Sequence, residues 1–167
     1  LQSAVVLRQI RGEPDLPLTG TRSCFAWGGS LSGIVPIRRS GLLDRFVFQL
    51  NFGEGIGRYI NDLSSLGGQD AAFDPANGNL YALPAAGIYL DYEHTWKEWT
   101  VTRKMNLRSA VIYSFVNVHN LGFQLGPAYH QTNRITGSLV FSPIERIDVG
   151  VEYLYGTRKN KDGQKAG

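Results

Sequence analysis

Three features of the sequence predict an all-β fold and, more narrowly, an antiparallel transmembrane β-barrel. Apolar and polar residues alternate with a period of two along most of the chain, which is typical of strands with two unlike faces. Short and long connections alternate between the predicted strands. The composition, with 20 Gly, 8 Tyr, 8 Phe and 3 Trp, suits tight turns and aromatic-rich strands.

The period-two pattern divides the chain into seven predicted strands. They span residues 4–11, 25–37, 45–52, 87–96, 107–116, 130–141 and 147–155. Alternation is poor in the first two strands and good in the third, where Phe46 and Phe48 face away from Arg45 and Gln49. It is clearest in the last strand. We therefore expect each strand to carry one apolar and one polar face.

Strand length and charge placement favour a membrane barrel over an ordinary sheet. Strands in lipid must pair with one another and close, because the bilayer core offers no hydrogen-bond partners. Spanning takes roughly nine to eleven residues per strand, against about five to six in globular proteins, and several predicted strands reach the longer value. Charged residues in mid-strand would then face a water-filled lumen. A girdle of aromatic residues is predicted near the strand ends, formed by Trp96, Trp99, Phe141, Tyr153 and Tyr155.

The connections are predicted to be long on one side of the membrane and short on the other. The predicted short connections lie between Ile37 and Leu43, at Lys97-Glu98-Trp99 and at Ser142–Glu145. The predicted long connections run from Gly55 to Leu83, from Asn117 to Ala128 and onward from Gly156. Within the first long connection, Asn77-Gly78 predicts a tight turn. The glycine-rich run Gly53–Arg58 predicts a bend from strand to loop rather than a phosphate-binding loop.

Composition argues against several classes of function. The net charge of +3 and the pI near 9.1 are mildly basic, without the clustered cations and stacking aromatics of a nucleic-acid-binding surface. Cys24 is the single cysteine, and His94, His119 and His130 lie in separate segments, so we expect no disulfide, metal or cofactor. No apolar run is long enough for a transmembrane helix. Because the start lacks a signal peptide, residues 1–167 are interpreted as one barrel domain, incomplete at both ends.

The run from Phe46 to Asp62 resembles the strand-plus-loop signature of the DcaP-like porins. The segments Leu107-Arg108-Ser109, Val116-Asn117-Val118 and 148–163 are similar to later strands of that family. The resemblance covers roughly residues 23–163 and implies a homotrimeric barrel of about sixteen strands, embedded in lipid and lipopolysaccharide of the bacterial outer membrane. It implies passive diffusion of small anionic solutes such as dicarboxylates. The chain departs from the family in showing about half the strands and no terminal strand that ends in an aromatic residue.

Charged residues on the polar phase of the strands are the candidates for solute contact. Arg45, Arg108 and Arg134 share that phase, and Arg58 begins the long connection, which we expect to fold inward as a constriction. Guanidinium groups pair with carboxylates in a bidentate manner, so these residues would favour anions. Carboxylates on the same phase would oppose them, on a separate wall of the channel. The predicted pore-lining residues are Arg45, Arg58, Arg108, Arg134, Asp91, Glu93 and Glu152.

Two alternatives compete with the channel. The carboxylates of Asp91 and Glu93 lie two residues apart on one strand face, as the acid and base of an extracellular β-sheet hydrolase would. A hydrated lumen wall explains the same pair more simply, so we expect no catalytic residues. A soluble β-sandwich or lipocalin-like protein that binds a small ligand would also show alternating strands and aromatic residues. Neither alternative accounts for the alternating connection lengths.

Overall fold

The computed structural model describes residues 1–14, 20–39, 42–61, 63, 67–96, 106–144 and 146–166. Seven long strands dominate the described residues, as predicted, and the only helical element with defined bounds there is one 3-10 turn, so the all-β prediction is confirmed. The elements are β1 (Gln2–Gly12), β2 (Arg22–Arg39), β3 (Leu42–Glu54), the 3-10 turn (Gly57–Tyr59), β4 (Ala71–Phe73), β5 (Leu80–Ala82), β6 (Pro84–Thr95), β7 (Asn106–Val118), β8 (Tyr129–Ile144), β9 (Ile147–Asn160) and β10 (Lys165–Ala166).

The long strands form one antiparallel sheet in which each strand pairs with its neighbours in the chain. The order is β1-β2-β3-β6-β7-β8-β9-β10, and β4 and β5 form a separate hairpin. Only residues 40–41 separate β2 from β3, and only residues 145–146 separate β8 from β9; residues 40, 41 and 145 lie outside the described residues. These two connections are short, as predicted.

The predicted short connection at Lys97-Glu98-Trp99, between β6 and β7, lies outside the described residues. Two predictions about the end of the last long strand are wrong. The long loop predicted after Gly156 is instead strand as far as Asn160, followed by a turn and β10. Because β9 continues this far, Tyr153 and Tyr155 lie inside a strand rather than at its end. Cross-strand pairing on both sides of β9 extends the strand through polar residues that the pattern marked as loop.

The two faces of the sheet differ in chemistry along β3, β6, β7, β8 and β9. Residues that pair across strands share a face, as do residues two apart in one strand. The apolar face is defined by Val5, Leu7, Trp27, Phe46, Phe48, Ile88, Leu90, Tyr92, Val111, Tyr113, Ile135, Leu139, Phe141, Val149, Val151, Tyr153 and Tyr155. The polar face is defined by Arg8, Ser30, Arg45, Gln49, Asp91, Glu93, Arg108, Ser114, Thr132, Arg134, Ser138, Glu152 and Arg158.

The buried hydrophobic core lies on the polar face, beneath the connection of residues 55–83. Its members are Ile56, Ile60, Leu63, Ala72, Leu83, Ala85, Val116, Val118 and Tyr129. Close approach of the connection to the sheet requires glycine at Gly28, where a Cβ would lie 2.5 Å from Ile56 Cγ2. The bend at Gly55 has a left-handed backbone, with φ of 70°. Asn77-Gly78 forms the predicted turn, in which Gly78 has φ of 70° and donates its N–H to Asp74 O.

Across the described part of the chain, no helix combines the length and the apolar character needed to cross a membrane.

Candidate functional site

Six of the seven predicted site residues lie on the polar face of the sheet. Strand pairing aligns Arg45 with Glu93, Ser114 with Arg134 and Ser138 with Glu152. Arg108 and Asp91 belong to the same face through β6 and β7. The strands therefore bring the predicted charged residues to one surface. The seventh residue, Arg58, lies in the 3-10 turn of the connection that covers part of this surface.

Charges of opposite sign are neighbours on the polar face. The guanidinium of Arg45 forms an ion pair with Glu93 on the adjacent strand. Arg108 Nη2 lies 2.7 Å from Asp148 Oδ2, and Ser142 also donates a hydrogen bond to this carboxylate. These contacts correct the expectation of separate positive and negative walls. Antiparallel register places Arg45 directly opposite Glu93, whereas Arg108 reaches Asp148 across β8. Each ion pair reduces the net field that its two members project.

The two carboxylates proposed as an acid and base pair have different surroundings. Asp91 is 7% exposed and its Oδ2 lies 3.5 Å from the Tyr89 hydroxyl, a long and weak hydrogen bond. Its Oδ1 makes no hydrogen bond to the described protein atoms, and neither does the hydroxyl of Ser114. Glu93 is engaged by Arg45. A polar surface with unsatisfied acceptors in its middle is suited to contact with water or a polar solute.

Asp70 binds the long connection to the polar face. Its carboxylate accepts hydrogen bonds from Arg58 Nε and from the Arg58 backbone N–H, each at 2.8 Å. Arg8 on β1 donates to the same carboxylate at 2.5 Å and to Gly55 O at 2.6 Å. The Arg8 guanidinium also lies 5.4 Å from the Tyr59 ring centroid, within cation-π distance. The connection of residues 55–83 is thus folded onto the polar face, and Arg58 takes part in the contact that holds it there.

Electrostatics keep this cluster charged. Burial of Asp70 would raise its pKa, but hydrogen bonds from Arg8 and Arg58 outweigh burial and lower the pKa below its ordinary value. The same contact raises the pKa of Arg58. Two guanidinium groups and one carboxylate together carry a net positive charge at neutral pH. The cluster is therefore cationic although every member has a partner.

Arg8 and Asp70 were missed by reasoning from sequence alone. Arg8 occurs in the phase of β1 that otherwise holds Ala4, Val6 and Ile10, so it interrupts an apolar series. A cation in such a series predicts a buried partner, and this signal was available. Asp70 lies in a loop, 62 residues away in the chain, and no local pattern links it to Arg8.

A buried carboxylate on the apolar face is a second feature that the sequence pattern did not reveal. Asp44 is 1% exposed and accepts hydrogen bonds from the Tyr92 hydroxyl at 2.9 Å and the Thr95 backbone N–H at 3.0 Å. His94 Nδ1 lies 3.0 Å from the same carboxylate. The adjacent Trp96 packs edge-on against His94, with ring centroids 4.7 Å apart. This cluster explains how a histidine is accommodated among apolar neighbours.

The described residues contain no group of three or more His, Cys, Asp or Glu side chains that could hold a metal ion. His130 instead contacts Val118 O and Asn120 Oδ1, at 3.0 and 2.8 Å.

Comparison with known proteins found no matching family model, no matching curated protein and no matching solved structure. Function must therefore be inferred from the geometry of the sheet.

Proposed function

We propose that this chain forms part of the wall of a β-barrel channel in a bacterial outer membrane, a porin through which small solutes diffuse passively. One observation carries the proposal: the apolar face of the sheet is exposed, whereas the packed core lies on the polar face. Val111 in β7 is 54% exposed and Ile135 in β8 is 47% exposed, although both strands have a neighbour on each side. A contiguous apolar surface of this kind requires a nonpolar cover, and in a barrel wall lipid supplies it.

Strand length supports the same proposal. The seven long strands have between 11 and 18 residues, at or above the length that a tilted strand needs to cross a bilayer, roughly nine to eleven residues. The strands pair only with chain neighbours, which is the connectivity of an up-and-down barrel. Closure into a barrel of about sixteen strands, as in the family that the sequence resembles, would give hydrogen-bond partners to the backbone groups at the two edges of this sheet.

The folded connection supports a narrowed lumen. Residues 55–83 pack on the polar face through the apolar core and the contact of Asp70 with Arg8 and Arg58. In a barrel, this face would surround water, so the connection would reduce the cross-section of the pore. The cationic cluster would lie at that constriction, where fixed charge has most effect on a passing ion.

Anionic solutes are the proposed cargo. The cluster of Arg8, Arg58 and Asp70 adds net positive charge to the polar face, and the ion pairs of Arg45 and Arg108 add little. Carboxylates such as dicarboxylic acids would suit guanidinium groups. The homotrimer, and contacts with lipid and lipopolysaccharide, belong to the same proposal and rest on the resemblance. In this proposal Asp91 and Glu93 have no catalytic role.

The soluble alternative is less well supported. A β-sandwich or lipocalin buries the apolar face of its sheet and leaves the opposite face in water. Here the buried cluster forms on the opposite face, where Val116 and Val118 pack under the folded connection. A hydrolase would require Glu93 to be available to a substrate, but Arg45 engages it.

Contact with lipid can be tested at adjacent residues of β9. We would attach bimane to Val151→Cys and, separately, to Glu152→Cys, in a Cys24→Ser background, and reconstitute each protein in vesicles with brominated phosphatidylcholine. Quenching at residue 151 and none at residue 152 is expected, because successive side chains point to opposite faces. A soluble fold predicts no quenching at either residue, and that result would reject the proposal.

Conduction and selectivity provide the second test. In a planar bilayer with a KCl gradient, the reconstituted protein should conduct, with a reversal potential that indicates preference for chloride. Conduction with a preference for potassium would reject the anionic cargo but keep the channel.

A further inference from the structure

A cleft of about 740 Å³ lies between the two longest described connections of the sheet. One wall is formed by residues 67–75 and the other by residues 123–129, and both adjoin the polar face. Volumes of about 300–1,000 Å³ are typical of small-molecule sites. If the sheet is a barrel wall, this cleft opens at the mouth of the channel, above the constriction.

Both walls are held in place by charged side chains. Asp70 secures the first wall through its contacts with Arg8 and Arg58. Lys161 secures the second, because its ammonium donates to the carbonyls of Leu121 and Gly122, each at 2.8 Å, and of Gln124 at 2.5 Å. Walls fixed in this way form a cleft before a ligand arrives, which lowers the entropic cost of binding.

The chemistry of the lining selects one kind of ligand. Its larger side chains are apolar, with aromatic rings from Phe73, Phe123 and Tyr129. Arg158 is the one charged residue among the described residues of the lining, and no carboxylate is present there. Its guanidinium lies 5.4 Å from the Tyr129 ring centroid, and its Nε donates to Asn160 Oδ1 at 3.0 Å. The described lining thus combines aromatic rings with the guanidinium of Arg158.

We infer that this cleft binds an organic monocarboxylate with an aromatic or alicyclic body. The carboxylate pairs with Arg158 and the body packs between Phe73 and Phe123, because a guanidinium matches a carboxylate and apolar walls match a ring. The inference rests on the proposed channel and concerns only this cleft, where it favours monocarboxylates among the proposed anionic solutes. A dicarboxylate is a poorer ligand, since its second charge enters an apolar wall without a partner.

The test is binding of benzoate, benzyl alcohol and succinate to the detergent-solubilised protein, measured by calorimetry. Benzoate should bind more tightly than either of the other two compounds. Arg158→Gln should raise the Kd of benzoate by about tenfold or more, the effect of losing a charge-assisted hydrogen bond, and leave the Kd of benzyl alcohol within about twofold. Phe123→Ala should weaken both. Arg146→Gln, at an exposed turn at the other end of the sheet, is the matched control.

Gln124→Glu provides a second variant if Arg158→Gln fails to fold. It places a carboxylate in the lining while keeping the acceptor that the Leu121 N–H uses, and it should also weaken benzoate binding. Succinate binding as tight as benzoate binding, or an unchanged benzoate Kd in both variants, would overturn the inference. Bilayer conductance in KCl separates the two proposals. If the protein conducts but does not bind benzoate, the channel proposal stands and the binding site is rejected. If the protein binds benzoate but does not conduct, the channel proposal is rejected.

Discussion

The two faces of the sheet have the same backbone and opposite surroundings. On the apolar face, Val111, Tyr113 and Ile135 are exposed in strands that have a neighbour on each side. On the polar face, Ile56, Leu63 and Leu83 are buried, because a long connection folds over it. A sheet in water would show the reverse distribution, since burial of apolar area is the main driving force of folding. In the proposed channel this difference has a simple cause, because lipid rather than water would cover the apolar face.

The largest expected effect comes from a charge placed on the apolar face. Val151→Arg should reduce the free energy of unfolding in lipid vesicles by about 2–4 kcal/mol if residue 151 lies near the bilayer midplane. Glu152→Arg, one residue away on the polar face, is the control and should change it by less than about 1 kcal/mol. Urea titration of vesicle-bound protein measures both. Equal effects of the two variants would remove the distinction between the faces.

The next effect concerns the contact that holds the connection on the polar face. Asp70→Asn should cost about 1.5–3 kcal/mol at neutral pH, because it removes charge-assisted hydrogen bonds from Arg8 and Arg58. The folded state lowers the pKa of Asp70, so this stabilisation is complete above the ordinary carboxyl value of about 3.9. It is lost as the pH falls through the lower pKa of the folded state.

Urea titrations of the wild type and Asp70→Asn between pH 7 and pH 3 measure this contribution. The difference in free energy of unfolding between the two proteins should be constant near neutral pH and should decrease toward pH 3. Glu54→Gln, an exposed carboxylate just before the connection, is the control and should show no such difference. A gap that widens in acid would contradict the assigned direction of the pKa shift.

A smaller effect tests how closely the connection approaches the sheet. Gly28→Ala should destabilise the protein by about 1–3 kcal/mol, because the new methyl group meets Ile56 Cγ2 at 2.5 Å. The matched variant Gly137→Ala meets nothing within 4 Å and should be nearly neutral. Thermal unfolding of both variants in one detergent compares them. A neutral Gly28→Ala would mean that the connection is not packed on the polar face.

The smallest effect comes from the ion pair between Arg45 and Glu93. A double-mutant cycle with Arg45→Gln and Glu93→Gln should give a coupling free energy of about 0.2–1 kcal/mol, because both side chains are partly exposed. Urea unfolding of the four proteins supplies the cycle. A coupling well above this range would indicate a dry environment around the pair and would weaken the proposal that the polar face lines water.

Local patterns predicted most of the sheet and the face of each site residue. The period-two alternation in β3, β6, β7 and β9 placed Arg45, Glu93, Arg108 and Glu152 on one face, as strand pairing confirms. It could do so because successive side chains in a strand point to opposite faces whatever the strand's partners are. The continuation of β9 past residue 156 was not predicted, since pairing with a neighbouring strand, rather than local composition, decides where a strand ends.

The sequence by itself thus determined the all-β class, seven strands and the identity of each face. Only the tertiary structure decided which charges become partners: Arg45 with Glu93, Arg108 with Asp148, and Arg8 and Arg58 with Asp70. It also decided that residues 55–83 cover the polar face. Side-chain direction follows from the local backbone, whereas partnership depends on strand register and on the path of a long connection, which join residues far apart in the chain.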